Sequence, residues 1–258
     1  MGPRPTFLSV VIPAYNEAGR IRDSLRQAAA WLSVPGRLDG PAEIVVVDDG
    51  STDATATLVE QEAASLPAGG SAVRLLRNGA NRGKGYSIKH GVLLATGEFV
   101  LLSDADFSTP IEELPRLMEP VRREGCDIAI GSRGLVESRV EVRQPIWRET
   151  MGRIFNRIVR AATRLPYRDT QCGFKLMRRQ AVLPLFRAAR IERFAYDVEI
   201  LYLARLAGIA VREVPVTWRD VPGSKVHPVR DALLMLRDVG RILWRDRRSR
   251  YGRLAPGA

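Results

Sequence analysis

Short apolar runs alternate with segments of helical periodicity through the first half of the chain. Each run is rich in β-branched residues and ends at a polar cluster, and the segments between them place apolar residues three and four positions apart. The pattern predicts strands at residues 7–12, 43–47, 73–77 and 98–103, and helices at residues 18–32, 52–65 and 84–95. Strand, loop and helix repeating in this order is typical of βαβ units on a parallel sheet, so we expect an α/β fold.

The second half of the chain is less regular. It predicts a strand at residues 127–131, a helix at 148–163, a last strand at 210–218 and a loop rich in Pro, Gly and Ser at 219–228. No segment has the composition of an interdomain linker. We therefore expect one catalytic domain over residues 1–228, followed by a C-terminal helix and tail at 229–258.

The last predicted helix, residues 229–248, is amphipathic. Its apolar positions follow helical spacing, and arginines form a separate ridge at Arg230, Arg237, Arg241, Arg245 and Arg248. Two interpretations fit this pattern: the helix packs on the core with its arginines in solvent, or it lies on an anionic membrane.

Composition and charge narrow the classes of function. The 258 residues carry 40 Lys and Arg against 29 Asp and Glu, a net charge of +11, which favours an anionic partner such as nucleic acid, a phosphorylated small molecule or an acidic membrane surface. The two cysteines lie 46 positions apart and indicate neither a zinc site nor a disulfide framework. With no signal peptide pattern and no apolar run of spanning length, we expect a cytoplasmic protein.

Polar side chains follow three of the predicted strands, which in an open α/β sheet is where ligands bind. Asp104 and Asp106 come directly after the fourth strand, and because they are two residues apart both carboxylates can face one point. A hard divalent cation such as Mg²⁺ suits such a pair and completes its shell with water and phosphate oxygens. Aspartates are also common in turns after strands, where they cap backbone groups.

Two further loops support a phosphate-binding site. The segment DDGSTD at residues 48–53 precedes a helix, which Ser51, Thr52 or Asp53 could cap, yet capping does not account for the two aspartates at the strand end. The segment NRGKG at residues 81–85 places two cations in a glycine-flanked loop before a helix, as phosphate oxygens require.

Six segments in this order resemble the motifs of family 2 glycosyltransferases. They are SVVIPAYNE (9–17), EIVVVDDGSTD (43–53), NRGKGYSIKHG (81–91), FVLLSDADFSTP (99–110), IGSR (130–133) and DTQCGFKLM (169–177). The segment RFAYDVE (193–199) is similar to the branch of dolichyl-phosphate glucosyltransferases and related polyprenyl-phosphate sugar synthases. The resemblance covers about residues 7–228.

This resemblance implies a GT-A fold, which is a Rossmann-like three-layer α/β/α arrangement with a mixed central sheet. It implies an inverting hexosyltransferase that uses Mg²⁺ or Mn²⁺ and a nucleotide-sugar donor, UDP-glucose in this branch. Motif positions place the nucleoside against Pro13, Tyr15, Glu17, Val47 and Asp49. They place Lys84 near the nucleoside or its phosphates and assign Asp104 and Asp106 to the diphosphate and metal. Ser108 stands where similar enzymes often have Gln, so water or its own hydroxyl would replace that ligand.

Several other residues are candidates for the donor or the acceptor. Arg133, Arg219 and Lys225 are expected to contact the donor anion, and the acceptor is assigned to Arg143, Arg148, Gln171 and Asp197. The acceptor implied is a polyprenyl or dolichyl phosphate, which is already ionised and needs no base. A soluble or hydroxyl acceptor is the alternative, and it would require a base, for which Asp197 is the candidate.

The role of Asp197 is therefore open between base, positioning group and cap of the helix that follows it. The basic, aromatic-bearing segment around residues 143–160 suits a phosphate headgroup at a membrane surface. Two alternatives follow: the enzyme contacts the inner face of the membrane peripherally through this segment and the last helix, or its acceptor is soluble. A protein of another class, binding nucleic acid through its basic surface, would show steep salt dependence and is not favoured by the motifs.

Overall fold

A seven-stranded sheet forms the centre of the molecule. The computed structural model describes residues 5–66, 71–142, 146–221 and 228–251. The sheet contains β1 (Leu8–Ala14), β2 (Ala42–Asp48), β3 (Ala72–Arg77), β4 (Phe99–Leu102), β5 (Ile128–Ser132), β7 (Lys175–Arg178) and β8 (Val211–Pro215) in the order β3-β2-β1-β4-β7-β5-β8. Only β7 runs antiparallel to its two neighbours, so the sheet is mixed, as the resemblance implies.

Within the described residues, α-helices cover both faces of this sheet. One face carries α1 (Ile21–Leu32), α2 (Thr55–Ser65) and α4 (Leu114–Arg123), and the other carries α3 (Lys84–Leu94), α5 (Ile146–Thr163), α6 (Arg179–Ala188), α7 (Tyr196–Leu206) and α8 (Pro228–Arg247). Successive strand residues supply the two cores alternately: Val10 faces the α1 side and Val11 the α3 side. This three-layer arrangement confirms the predicted fold class.

The two remaining strands form a small separate sheet. β6 (Arg139–Val142) pairs in parallel with β9 (Thr217–Arg219). The prediction of one strand at residues 210–218 is wrong, because β8 ends at Pro215 and the chain changes sheets at Val216. Proline has no N–H to continue a ladder, which explains the break.

Helix α8 packs on the core through its apolar side. Met235, Val239 and Ile242 are buried in the same hydrophobic cluster as residues of α5 and α7. The sequence allowed two arrangements of this helix, and the structure shows the one in which it packs on the core. Among the helices of the described ranges, none is both long and apolar enough to cross a bilayer.

Candidate active site at the carboxyl edge of the sheet

A cavity of about 570 Å³ opens beyond the carboxyl ends of β1, β2 and β4. Parallel strands bring their ends to one edge, so the loops that follow them meet there. Seven predicted site residues lie on its wall: Pro13, Tyr15, Glu17, Asp49, Lys84, Asp104 and Asp106. Helix α8 closes the opposite side with Arg230, Asp231, Leu234, Met235 and Asp238, which the motifs did not indicate.

Asp104 and Lys84 form an ion pair within this cavity. The Lys84 Nζ lies 2.5 Å from Asp104 Oδ1. Burial alone would raise the pKa of Asp104, but the Lys84 ammonium, together with Lys175 and Arg133, more than offsets this effect, so the pKa is lowered. Asp104 is therefore a carboxylate near neutral pH, available to a cation.

The carboxylate of Asp104 rests against the backbone of Gly173. A Cβ added to Gly173 would lie 2.2 Å from Asp104 Oδ2, closer than any nonbonded contact allows. This glycine, in the loop before β7, leaves the space that the carboxylate occupies. Its position explains a requirement for glycine in the segment DTQCGFKLM.

Asp106 is oriented by its own loop. Its Oδ1 accepts hydrogen bonds from the backbone N–H and the hydroxyl of Ser108, at 2.9 and 2.7 Å, and its Oδ2 lies 3.7 Å from Arg20 Nη1. Phe107, between Asp106 and Ser108, adopts φ 44°, a left-handed conformation that costs energy for a bulky residue. The turn thus aims the Asp106 carboxylate into the cavity, and Ser108 supports it.

Asp49 shapes the glycine-rich loop that faces the cavity. Its carboxylate accepts hydrogen bonds from the backbone N–H groups of Arg82 and Gly83, at 3.0 and 2.8 Å, and from the side-chain amide of Asn78 at 2.7 Å. Gly83 has φ 105°, which favours glycine. Helix α3 begins at Lys84 directly after this loop, so its N-terminus and the Lys84 side chain both face the cavity.

The three residues predicted as possible caps of α2 differ in their hydrogen bonds. Among Ser51, Thr52 and Asp53, only Asp53 contacts the first turn, where its Oδ1 accepts the backbone N–H of Thr55 at 2.9 Å. The hydroxyl oxygen of Ser51 instead accepts the N–H of Asn16 at 2.9 Å. Helix α2 begins at Thr55, three residues after the predicted start, because the DDGS loop binds the loop after β1.

Asp197 lies beneath the cavity in a buried ion pair that the sequence did not indicate. The Lys175 Nζ is 2.5 Å from Asp197 Oδ1, and the two side chains are 1% and 5% exposed. Burial raises the pKa of Asp197, against the opposing effect of Lys175 and Lys84. Lys175 also donates to the backbone carbonyl of Cys172. A lysine placed between the apolar residues Phe174 and Leu176 was the available signal.

A second cavity of about 490 Å³ lies beside α5 and carries arginines on its wall. Arg133 is held there by Asp169, with Nε to Oδ2 at 2.7 Å and Nη2 to Oδ1 at 3.0 Å, and its guanidinium lies 5.4 Å from the Trp218 ring centroid. Gln171 lies on the same wall. The other cations of this wall are Arg153, Arg157, Arg160 and Arg168.

The remaining predicted site residues lie elsewhere. The Val47 side chain is fully buried in β2, and Arg219 on β9 lies on the wall of neither cavity, although its backbone N–H donates to the Ser108 carbonyl at 2.9 Å. Arg143 and Lys225 fall outside the described residues, as does the side chain of Arg148.

The carboxylate ligands available in the first cavity suit a divalent metal ion that binds together with a diphosphate. In the described ranges no group of three or more His, Cys, Asp or Glu could hold a metal by itself. Asp104 and Asp106 supply two carboxylates, and Mg²⁺ and Mn²⁺ commonly take one or two, with water and substrate phosphate completing the shell. The residues present therefore fit such an ion.

Comparison with known proteins places the sequence in a defined group. A family model described as glycosyl transferase family 2 matches residues 9–186. A dolichyl-phosphate beta-glucosyltransferase of Dictyostelium discoideum is 37% identical over 93% of this chain and 74% of that protein. Enzymes of the same name from Homo sapiens and Saccharomyces cerevisiae are each 34% identical over 90% of this chain and 73% of theirs.

Solved structures share the fold at lower identity. Glucosyl-3-phosphoglycerate synthase from Mycobacterium tuberculosis, in complex with Mn²⁺, UDP-glucose and glycerol 3-phosphate, aligns with a TM-score of 0.66 and 19% identity over 96% of this chain and 80% of that one. The mannosyltransferase PcManGT from Pyrobaculum calidifontis, in complex with GDP-mannose and Mn²⁺, aligns with a TM-score of 0.61 and 21% identity over 95% and 67%. These alignments support the α/β architecture described above.

Proposed function

The chain belongs to glycosyl transferase family 2, and from that premise we propose that it transfers glucose from UDP-glucose to a polyprenyl phosphate, such as dolichyl phosphate, with inversion at the anomeric carbon. The observation that carries the proposal is 34–37% identity, across about nine-tenths of the chain, to enzymes named for this transfer. The cavity at the sheet edge supplies the residues that such chemistry needs.

The donor occupies the first cavity. The loops after β1 and β2 hold the nucleoside through Pro13, Tyr15, Glu17 and Asp49, which lie together on the wall. Lys84 and the N-terminus of α3 face the diphosphate, where N–H groups and an ammonium attract phosphate oxygens. Asp104 and Asp106 hold Mg²⁺ or Mn²⁺, which when bound stabilises the charge that develops on the departing diphosphate.

The acceptor phosphate approaches from the second cavity. Arg133, which the sequence assigns to the donor anion, lies on its wall with Gln171, so we reassign it to the acceptor phosphate. The arginines of α5 provide further positive charge. We assign Arg143 and Arg148 to the same acceptor, since they precede and begin α5 in sequence. A phosphate with a second pKa near ~6 is mostly a dianion at neutral pH, so it attacks without proton abstraction.

Asp197 acts in this scheme as a positioning group. Its carboxylate is buried, is bonded to Lys175 and is not on the wall of the first cavity. A hydroxyl acceptor remains the alternative, and it would need Asp197 within hydrogen-bond reach of the reacting oxygen. The buried pair favours the phosphate acceptor, because that nucleophile needs no base.

The surface formed by α5 and α8 suits contact with an anionic membrane. These helices expose four large apolar residues, each 44–63% accessible and flanked in sequence by arginines: Trp147, Ile154, Ile158 and Leu233. Apolar side chains enter the interface while arginines pair with lipid phosphates. We propose that the enzyme works at the cytoplasmic surface of the membrane and meets its lipid acceptor there.

Transfer assays test this function. The enzyme, Mn²⁺ or Mg²⁺ and a polyprenyl phosphate are incubated with labelled UDP-glucose, UDP-galactose or GDP-mannose, and lipid-extractable label is counted. We expect lipid-linked sugar from UDP-glucose and little from the other two donors. Donor hydrolysis without lipid product, for every donor, would contradict the acceptor assignment. Lipid-linked product from another donor alone would contradict the sugar.

A further inference from the structure

Lys84 occupies the position beside Asp104 that a divalent cation requires. Its Nζ is 2.5 Å from Asp104 Oδ1, which is the carboxylate proposed above to hold the metal. An ammonium this close repels a metal ion at the same oxygen and so weakens its binding. We propose that Lys84 acts as a resident counter-ion of Asp104, so that a divalent ion binds well only when a diphosphate arrives to draw the lysine away. This inference rests on the proposed metal site.

The shorter Asp104 side chain is confined on one side. The Gly173 backbone lies directly behind its carboxylate, as the 2.2 Å approach of a hypothetical Cβ shows. Lys84, by contrast, has a flexible four-carbon side chain and stands at the first residue of α3. When a metal ion competes for Asp104, the lysine is the partner that moves.

The displaced lysine has other anions within reach of its charge. Asp197 and Asp106, in addition to Asp104, interact electrostatically with the Lys84 ammonium. Asp197 remains paired with Lys175, so its carboxylate only partly neutralises the charge of a displaced Lys84. A bound diphosphate would supply the missing negative charge. Metal and nucleotide are therefore expected to bind together, and metal alone only weakly.

Titration with Mn²⁺ in the absence of nucleotide tests the inference, with free Mn²⁺ followed by electron paramagnetic resonance. Lys84→Met removes the competing cation, and we expect it to bind Mn²⁺ alone about tenfold more tightly than the wild type, or more. Lys84→Arg keeps a cation there and should bind Mn²⁺ as weakly as the wild type. Lys89→Met, which lies on the same helix and removes the same charge, is the matched control.

Each outcome decides the inference. Unchanged or weaker Mn²⁺ binding by Lys84→Met would overturn it, and so would equal gains in Lys89→Met or Lys84→Arg. The gain must also disappear in Lys84→Met/Asp104→Asn, since binding that persists there lies elsewhere. Thermal unfolding confirms that each variant is folded. Because no sugar donor is present, a failure of the transfer assay and a failure of this titration are separate results.

Discussion

Lys175 and Asp197 join the antiparallel strand β7 to the first turn of α7 through a 2.5 Å ion pair that is almost completely buried. Lys175 also interacts electrostatically with the carboxylates of Asp104 and Asp169. One buried ammonium thus lies among acidic groups of the donor side and the acceptor side. β7, the single strand that runs against its neighbours, brings it there.

Removing either partner of this pair should destabilise the fold strongly. Lys175→Met leaves the Asp197 carboxylate buried without its counter-ion, and we expect a loss of about 3–5 kcal/mol in the free energy of unfolding. The double variant Lys175→Met/Asp197→Asn removes both charges and should recover much of that loss. Urea unfolding measures the coupling. Additive effects of the two substitutions would show that the pair does not interact.

Gly173→Ala should impair the site while leaving the protein folded. The new Cβ would meet the Asp104 carboxylate, a side-chain end that can shift, so donor binding is affected more than stability. We expect metal-dependent UDP affinity to fall about tenfold or more, which corresponds to about 1.4 kcal/mol. Gly152→Ala in α5, whose Cβ would meet nothing within 4 Å, is the control. Calorimetric titration with UDP and Mn²⁺ compares them, and equal affinities would contradict this role of Gly173.

The Glu43 carboxyl should make the free energy of unfolding depend on pH. Burial acts to raise the pKa of this carboxyl, but hydrogen bonds from Ser9 and Thr96 and the ion pair with Arg74 lower it below its ordinary value of 4.5. A lowered pKa means that the unfolded state binds the proton more readily, so the stabilisation is complete above pH 4.5 and is lost as the pH falls through the lower native pKa.

The matched variant is Glu43→Gln, which keeps the shape and removes the charge. We expect the wild type to be more stable by about 1–3 kcal/mol near neutral pH, since hydrogen bonds to a charged group are worth roughly that much. The difference should shrink as the pH is lowered below 4.5. Unfolding curves from pH 3 to pH 7 measure it, and a difference independent of pH would argue against the charged network.

The exposed apolar residues of α5 predict binding to vesicles. Ile154→Asp and Ile158→Asp place carboxylates on the surface proposed to contact lipid, where burial and like charge both oppose binding. Sedimentation with vesicles rich in phosphatidylserine should show a clear loss of binding relative to the wild type. Leu94→Asp, an equally exposed position at the end of α3, should bind as the wild type does. Equal losses in all three variants would point to a general charge effect.

Local pattern was sufficient for the first half of the fold. Strands β1 and β2 carry β-branched runs, β4 is a short apolar run, and polar clusters separate the strands from the helices between them, so these elements could be predicted within a few residues. β7 could not, because its four residues, KLMR, have charged ends and no alternation. Helices α4 and α6 were also absent from the prediction, and both have internal prolines. A helix was expected directly after Asp197, but α7 begins at Tyr196, so Asp197 lies within it and is not its cap.

The candidate site was predictable where its residues are contiguous in sequence. Short motifs contain Asp104 and Asp106 in one loop and Asp49 in another, and the structure brings these three residues to one cavity. Lys175, Gly173 and the cavity face of α8 act through contacts distant in sequence, which spacing does not reveal. The pairing of Lys84 with Asp104, 20 positions away, likewise depends on the turn that Asp49 imposes on its loop.

The most direct test compares two acceptors that differ only in the phosphate. Polyprenyl phosphate and the corresponding polyprenol are each incubated with UDP-glucose, Mn²⁺ and either the wild type or Asp106→Ala, with Asp39→Ala as a surface control. We predict that glucosyl lipid forms from polyprenyl phosphate and not from polyprenol, with the wild type and Asp39→Ala active and Asp106→Ala inactive. Product from the polyprenol, or full turnover by Asp106→Ala, would contradict the proposed metal-dependent transfer to a lipid phosphate.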